Sequence, residues 1–150
     1  MTPRRKTSRK RSAASSSAKP LEGAVFYLDE SIYSRILSEE LERAGATVRR
    51  PGVDIPFGSP DATWLAAAGA QGWIVLTRDQ RVRHRESEIQ ALRSARVGAF
   101  VLTAAQATAR ETAAAIVSRL PKLVNICRSE RRPFLYTLSI TGALSRLRIR

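Results

Sequence analysis

Apolar residues along this chain follow two patterns. Short unbroken runs alternate with longer stretches in which apolar positions recur every three or four residues. Residues 24–28, Ala-Val-Phe-Tyr-Leu, form the first unbroken run and predict a strand covered on both faces. From Ser31 the apolar residues Ile32, Ile36, Leu37 and Leu41 keep helical spacing, and Ala44-Gly45 closes the helix. Thr47-Val48 predicts a second short strand. Residues 51–60 hold three Pro and two Gly and read as a loop. Ser59-Pro60-Asp61 has the form of a helix start, with Ser as N-cap and Pro at the first helical position. That helix runs through Trp64, Leu65 and a series of alanines to Gly69 or Gly72. Residues 73–77 predict a third strand, and residues 86–95 a helix with Ile89 and Leu92 inward. Residues 97–102 predict a fourth strand. Thr103 then caps an Ala-rich helix up to Leu120, which Pro121 breaks or kinks. Residues 134–140 and 147–149 form a strand pair or an irregular tail.

Strands and helices therefore alternate four times. That order predicts a three-layer α/β domain, with a mainly parallel sheet of about four to five strands flanked by helices and joined by right-handed crossovers. The chain has 150 residues, enough for one domain with its own core. No apolar run approaches the ~20 residues that span a bilayer. The start of the chain is basic without an apolar segment, so no secretory signal is expected. Cys127 is the single cysteine, which excludes an internal disulfide and suits a reducing cytoplasm.

The net charge is +13, and its placement changes the picture more than its size. Residues 1–19 carry seven Lys or Arg and no acid, and residues 119–150 carry eight against Glu130 alone. Almost all the acids lie between. Residues 1–20 lack large apolar side chains apart from Met1, so a disordered basic tail is expected there. The folded domain follows over 21–150, with a basic C-terminal extension from about 121. Cationic ends favour a polyanion through counterion release, whatever its sequence. A solubilising role is the plain alternative for the tail.

The acids carry the candidate chemistry. The first apolar run ends on Asp29, followed by Glu30, and the third ends two residues before Asp79. Both acids thus leave the carboxyl edge of a parallel sheet, where α/β folds bind ligands. Asp61 opens the helix leading into the third strand and is expected to face the same crevice. Each has a local explanation as well: a helix cap for Asp29, dipole complementation for Asp61, a turn for Asp79. Glu30 is expected to point away from Asp29 along an extended segment. Glu88, early in the next helix, is the candidate fourth acid, with Glu86 as competitor. Gathered carboxylates repel one another, and a divalent cation is the usual compensation. Mg²⁺ or Mn²⁺ suits such oxygens, activates water, and steadies charge at phosphorus. Asp29, Asp61 and Asp79 are therefore the candidate catalytic and metal-binding residues. Arg78, Arg81, Arg83 and Arg85 crowd the same rim as candidate contacts for a nucleic-acid backbone. His84 reads as a phosphate contact or a surface residue, and Trp64 and Trp73 as core.

The segments FYLDESIYSRILSEELERAGATV and SPDATWLAAAGAQGWIVLTRDQRVRHRESEI resemble the PIN-domain ribonucleases. The similarity extends to the VapC45-like toxins, relatives of the Mut7-C group, and spans roughly residues 24–103. Its most specific pieces are Asp29, Asp61-x-x-Trp64 and Leu76-Thr77-Arg78-Asp79. The resemblance implies a PIN-like domain and a metal-dependent endoribonuclease with Asp29, Asp61 and Asp79 on the metal. The fourth acid of that family has no clean counterpart here beyond Glu88. It also implies a cognate antitoxin partner and a homodimer or toxin–antitoxin hetero-oligomer. Two other classes compete. A receiver-type phospho-acceptor domain would use Asp29-Glu30, Asp79 and Thr103, but it needs a lysine after a fifth strand, which the sequence does not supply. A non-catalytic RNA-binding protein would use only the tails and arginines.

Overall fold

The computed structural model describes residues 24–149, so the expected basic tail over 1–20 lies outside the described residues. Eleven elements follow one another: β1 (Val25–Leu28), α1 (Arg35–Arg43), β2 (Thr47–Arg49), α2 (Asp61–Gln71), β3 (Ile74–Thr77), α3 (Arg81–His84), α4 (Glu86–Ala95), β4 (Gly98–Leu102), α5 (Ala109–Ser129), β5 (Phe134–Leu138) and β6 (Leu144–Leu147). One six-stranded sheet has the order β2-β1-β3-β4-β5-β6. Its pairs are parallel except β5 with β6, which form an antiparallel hairpin. Residues 121–149 are therefore built into the domain, as the end of α5 and the last two strands.

The period of two along each strand divides the core. Phe26, Leu28, Ile74, Leu76, Phe100, Leu102, Phe134 and Leu138 point to one face, where α1 and α5 cover them. Tyr27, Val75, Ala99, Val101 and Leu135 point to the other, under α2 and α4. This is the three-layer arrangement that the apolar pattern predicts. Gly69 lets α2 and α4 approach closely: a Cβ there would lie 2.1 Å from the Ala95 carbonyl oxygen. Trp64 is buried, and Trp73 stacks on Tyr27 with centroids 6.0 Å apart.

Helix boundaries differ from the sequence expectation for identifiable reasons. Helix α1 starts at Arg35, because Ser34 caps the Leu37 amide at 3.0 Å while Ser31 is engaged with Asp29. Helix α2 has Pro60 as its N-cap with no side-chain cap, and the Ser59 hydroxyl instead donates to the Pro56 carbonyl at 2.7 Å. Helix α5 starts at Ala109, because Thr108 and Glu111 form a reciprocal capping box that outcompetes Thr103. It continues through Pro121 to Ser129. Pro121 is exposed, while Leu120, Leu123 and Val124 are buried and hold the helix to the sheet across the missing hydrogen bond. Helix α3 is one turn that the apolar pattern does not signal. Among the described residues, no helix is long and apolar enough to cross a membrane.

Candidate active site

The sheet order sets the site. From β1 the chain moves outward to β2, then crosses back to β3 on the other side of β1. The strand order reverses between β1 and β3, and a crevice opens beyond their carboxyl ends. A cleft of about 340 Å³ lies there, lined in part by Asp29, Glu30, Ser31, Asp61, Asp79 and Arg81.

Asp29 extends β1 by one residue, its amide donating to the Leu76 carbonyl at 3.2 Å. The chain then turns, because the Asp29 carbonyl accepts from the amides of Ile32 and Tyr33 at 3.2 and 2.9 Å. Asp29 is only 6% exposed, and its carboxyl is held by three donors. The Ser31 amide and hydroxyl donate to Oδ1 at 3.1 and 2.6 Å, and the Thr77 hydroxyl donates to Oδ2 at 2.6 Å. Each hydroxyl in turn accepts a backbone amide: Arg78 on Ser31 at 2.9 Å and Asp79 on Thr77 at 3.0 Å. The loop after β3 is thereby tied to the carboxyl that ends β1. Burial still dominates, and Asp29 is pushed up from the ordinary 3.8 to about 6. The hydrogen bonds oppose that rise, and the nearby Asp79 charge adds to it.

Asp79 is held below the usual carboxylate range, chiefly by its hydrogen bonds to Arg81. The Arg81 Nε lies 2.9 and 3.0 Å from its two oxygens, and Nη2 lies 2.5 Å from Oδ2. The same guanidinium reaches Asp61 Oδ2 at 3.7 Å. Asp61 opens α2 and accepts the Trp64 indole N–H at 3.0 Å, which accounts for the three-residue spacing between them. Glu88 comes in from α4. Burial and the adjoining Asp61 carboxyl hold its pKa above the ordinary value, and its Oε1 is buried without a hydrogen-bond partner.

Asp29, Asp61 and Asp79 thus line one cleft, and Glu88 adjoins Asp61. They do not form a closed cage: among the described residues, no three acidic, His or Cys side chains are gathered tightly enough to hold one metal ion. The Arg81 guanidinium takes the cationic position beside Asp79 and Asp61. The donor chemistry nonetheless fits a hard divalent ion. The candidates are all carboxylate oxygens, two of the carboxyls are poorly neutralised, and one oxygen is orphaned.

The four candidate arginines separate. Arg78 turns away from the cleft and donates to the Ala107 carbonyl at 3.3 Å and the Thr112 hydroxyl at 2.7 Å. Arg81 lies in the cleft. Arg83 donates to Gln80 Oε1 at 2.7 Å, and Gln80 in turn binds the Leu102 carbonyl at 2.9 Å. Arg85 is exposed, and its charge helps to lower the Asp79 pKa. Glu30 lines the cleft, contrary to the extended-strand expectation, because the turn after Asp29 redirects it to the Gly58 amide at 2.6 Å. Sequence reasoning also passed over Ser31 and Thr77 as site residues. The Asp-x-Ser spacing of an Asx turn was the available signal for Ser31.

A parallel sheet with an acid-lined cleft at its reversal point defines the general class. A family model described as a PIN-like domain matches residues 24–104, just over half of the chain, and the chain belongs to that family. PIN-like domains are commonly nucleases. No curated protein and no solved structure matches the chain at a significant level.

Proposed function

We propose that this PIN-like domain is a metal-dependent endoribonuclease acting as the toxin of a type II toxin–antitoxin pair. The observation that carries the reading is the convergence of Asp29, Asp61 and Asp79, from three separate chain segments, on one cleft. Asp29 and Asp79 would hold Mg²⁺ or Mn²⁺, with Asp61 and Glu88 as the neighbouring acids. When bound, the cation supplies an activated water and charge stabilisation for displacement at phosphorus. The chain's own groups do the positioning. Ser31 and Thr77 fix both oxygens of Asp29, and Trp64 fixes Asp61. Arg81, paired with Asp79, and the exposed Arg85 would be the cationic groups that meet a phosphate at the cleft.

RNA as substrate agrees with the net charge of +13 and makes the cytoplasm the place of action. The toxin role rests on the VapC45-like segments of the sequence, and an antitoxin that meets this cationic chain would present acidic residues. Incubation with total RNA, with Mn²⁺ or Mg²⁺ against EDTA, tests the chemistry. Wild type cleaves only with metal, and Asp79→Asn keeps its fold and RNA affinity but loses cleavage. Cleavage by Asp79→Asn at the wild-type rate removes the carboxylate mechanism. Growth arrest on expression, relieved by the product of an adjacent reading frame, tests the toxin role.

A further inference from the structure

Three large apolar side chains stand exposed among the described residues, and two of them share one loop. Val53 is 69% exposed and Phe57 70%, both in the segment between β2 and α2. That segment is a built loop. The Gly52 amide donates to the Ile55 carbonyl at 2.7 Å, Ile55 is buried as its anchor, and Glu30 holds the Gly58 amide at 2.6 Å. The Phe57 ring also has a seat. It lies against Gly52, where a Cβ would fall 2.2 Å from the ring's Cε2. Gly52 has φ +85°, a left-handed backbone conformation that favours glycine. Pro56 and Gly58, on either side of Phe57, line the acid cleft. Arg49 and Arg50, exposed just before the loop, place positive charge beside it.

We propose that Phe57 is a stacking platform for an unpaired base of the strand that enters the acid cleft. The inference deepens the nuclease reading and rests on it, because that reading brings a strand to the cleft. A protein partner fits the surface less well. Two side chains on one short loop fall far short of the ~800 Å² that each side of a stable protein interface buries. One aromatic ring, open on one side and positioned by its own glycine, matches one base. Bases inside a duplex are already stacked on each other, so the site selects single strands.

The test is fluorescence polarisation in EDTA, which suppresses metal-dependent cleavage. The probes are a short labelled oligoadenylate and a labelled RNA duplex. Phe57→Ala is expected to weaken single-strand binding by roughly 5- to 100-fold, the range for losing one stacked base. Duplex binding stays within about two-fold, since it rests on phosphate contacts. Phe57→Trp restores the affinity, and Ile140→Ala, at the third exposed apolar position, leaves it unchanged. Thermal melts of Phe57→Ala that match wild type show that truncating this exposed ring leaves the fold intact. The proposal is overturned if Phe57→Ala binds oligoadenylate like wild type, if both probes weaken equally, or if wild type binds no single strand. Cleavage is scored separately with Mn²⁺. Stacking without cleavage sinks the nuclease reading alone, and cleavage with unchanged Phe57→Ala binding sinks this proposal alone.

Discussion

Replacing Asp29 by Asn should stabilise the folded protein at neutral and alkaline pH and leave it unchanged in acid. Asp29 is buried among neutral donors, and its pKa rises from 3.8 to about 6. Between those values the native protein keeps a proton that the unfolded chain has released. Stability therefore falls as pH rises from about 4 to about 6, and the loss is complete above the folded pKa. At ~1.4 kcal/mol for each pKa unit, the ionised carboxyl costs about 3 kcal/mol of stability. Asn removes the charge and keeps the shape. Its oxygen can accept the Ser31 amide and hydroxyl as Oδ1 does now. Its NH₂ donates to Thr77, whose own hydrogen turns to Ser31 Oγ, 3.1 Å away. The Ser31 amide and both hydroxyls that now hold the Asp29 carboxyl each keep a partner.

Urea denaturation in EDTA at pH values from 4 to 8 reads this out. The two proteins should coincide near the acid end, with Asn ahead by ~2–3 kcal/mol at the alkaline end. Asp79 and Glu88 titrate in both proteins and largely cancel in the difference. Adding Mn²⁺ should narrow the gap, because a cation that needs Asp29 stabilises wild type alone, by about 1.4 kcal/mol at ten times its Kd. A constant gap across pH, or one that opens on acidification, would refute the electrostatic account of Asp29. A gap unmoved by Mn²⁺ would remove Asp29 from the cation site and leave the burial argument standing.

Two further substitutions probe separate parts of the molecule. Arg81→Ala takes the guanidinium from Asp79 and Asp61, so calorimetric Mn²⁺ affinity should rise by roughly two- to five-fold, the scale of an exposed ion pair; unchanged or weaker affinity contradicts competition between Arg81 and the cation. Pro121→Ala restores an amide to the middle of α5, worth ~3 kcal/mol of helix propensity less ~1 kcal/mol of added unfolded-chain freedom. A net gain of ~1–2 kcal/mol in denaturant unfolding is expected, and no gain would mean that the local backbone is already relaxed around the proline.

The parts of this fold legible in the sequence are those where local pattern and tertiary environment agree. The strands at Val25–Leu28, Ile74–Thr77 and Gly98–Leu102 are unbroken apolar runs because both faces are covered, and burial makes the same demand at every position. Asp29, Asp61 and Asp79 could be placed at one edge because a parallel sheet sends all its carboxyl ends the same way. The sequence was silent where several partners compete for one polar group. Ser31 suits a helix cap, yet its hydroxyl is taken by the buried Asp29 carboxyl, and Ser34 caps α1 in its place. Thr103 has the same chemistry as Thr108, but only Thr108 has Glu111 three residues on to complete a capping box. Arg78 and Arg81 are three residues apart and alike in type. One reaches back to Thr112, and the other lies between Asp79 and Asp61. What separates them is which acceptors the fold brings within reach of each guanidinium. For that reason the acids of this site could be read from the topology alone, and the cation now standing among them could not.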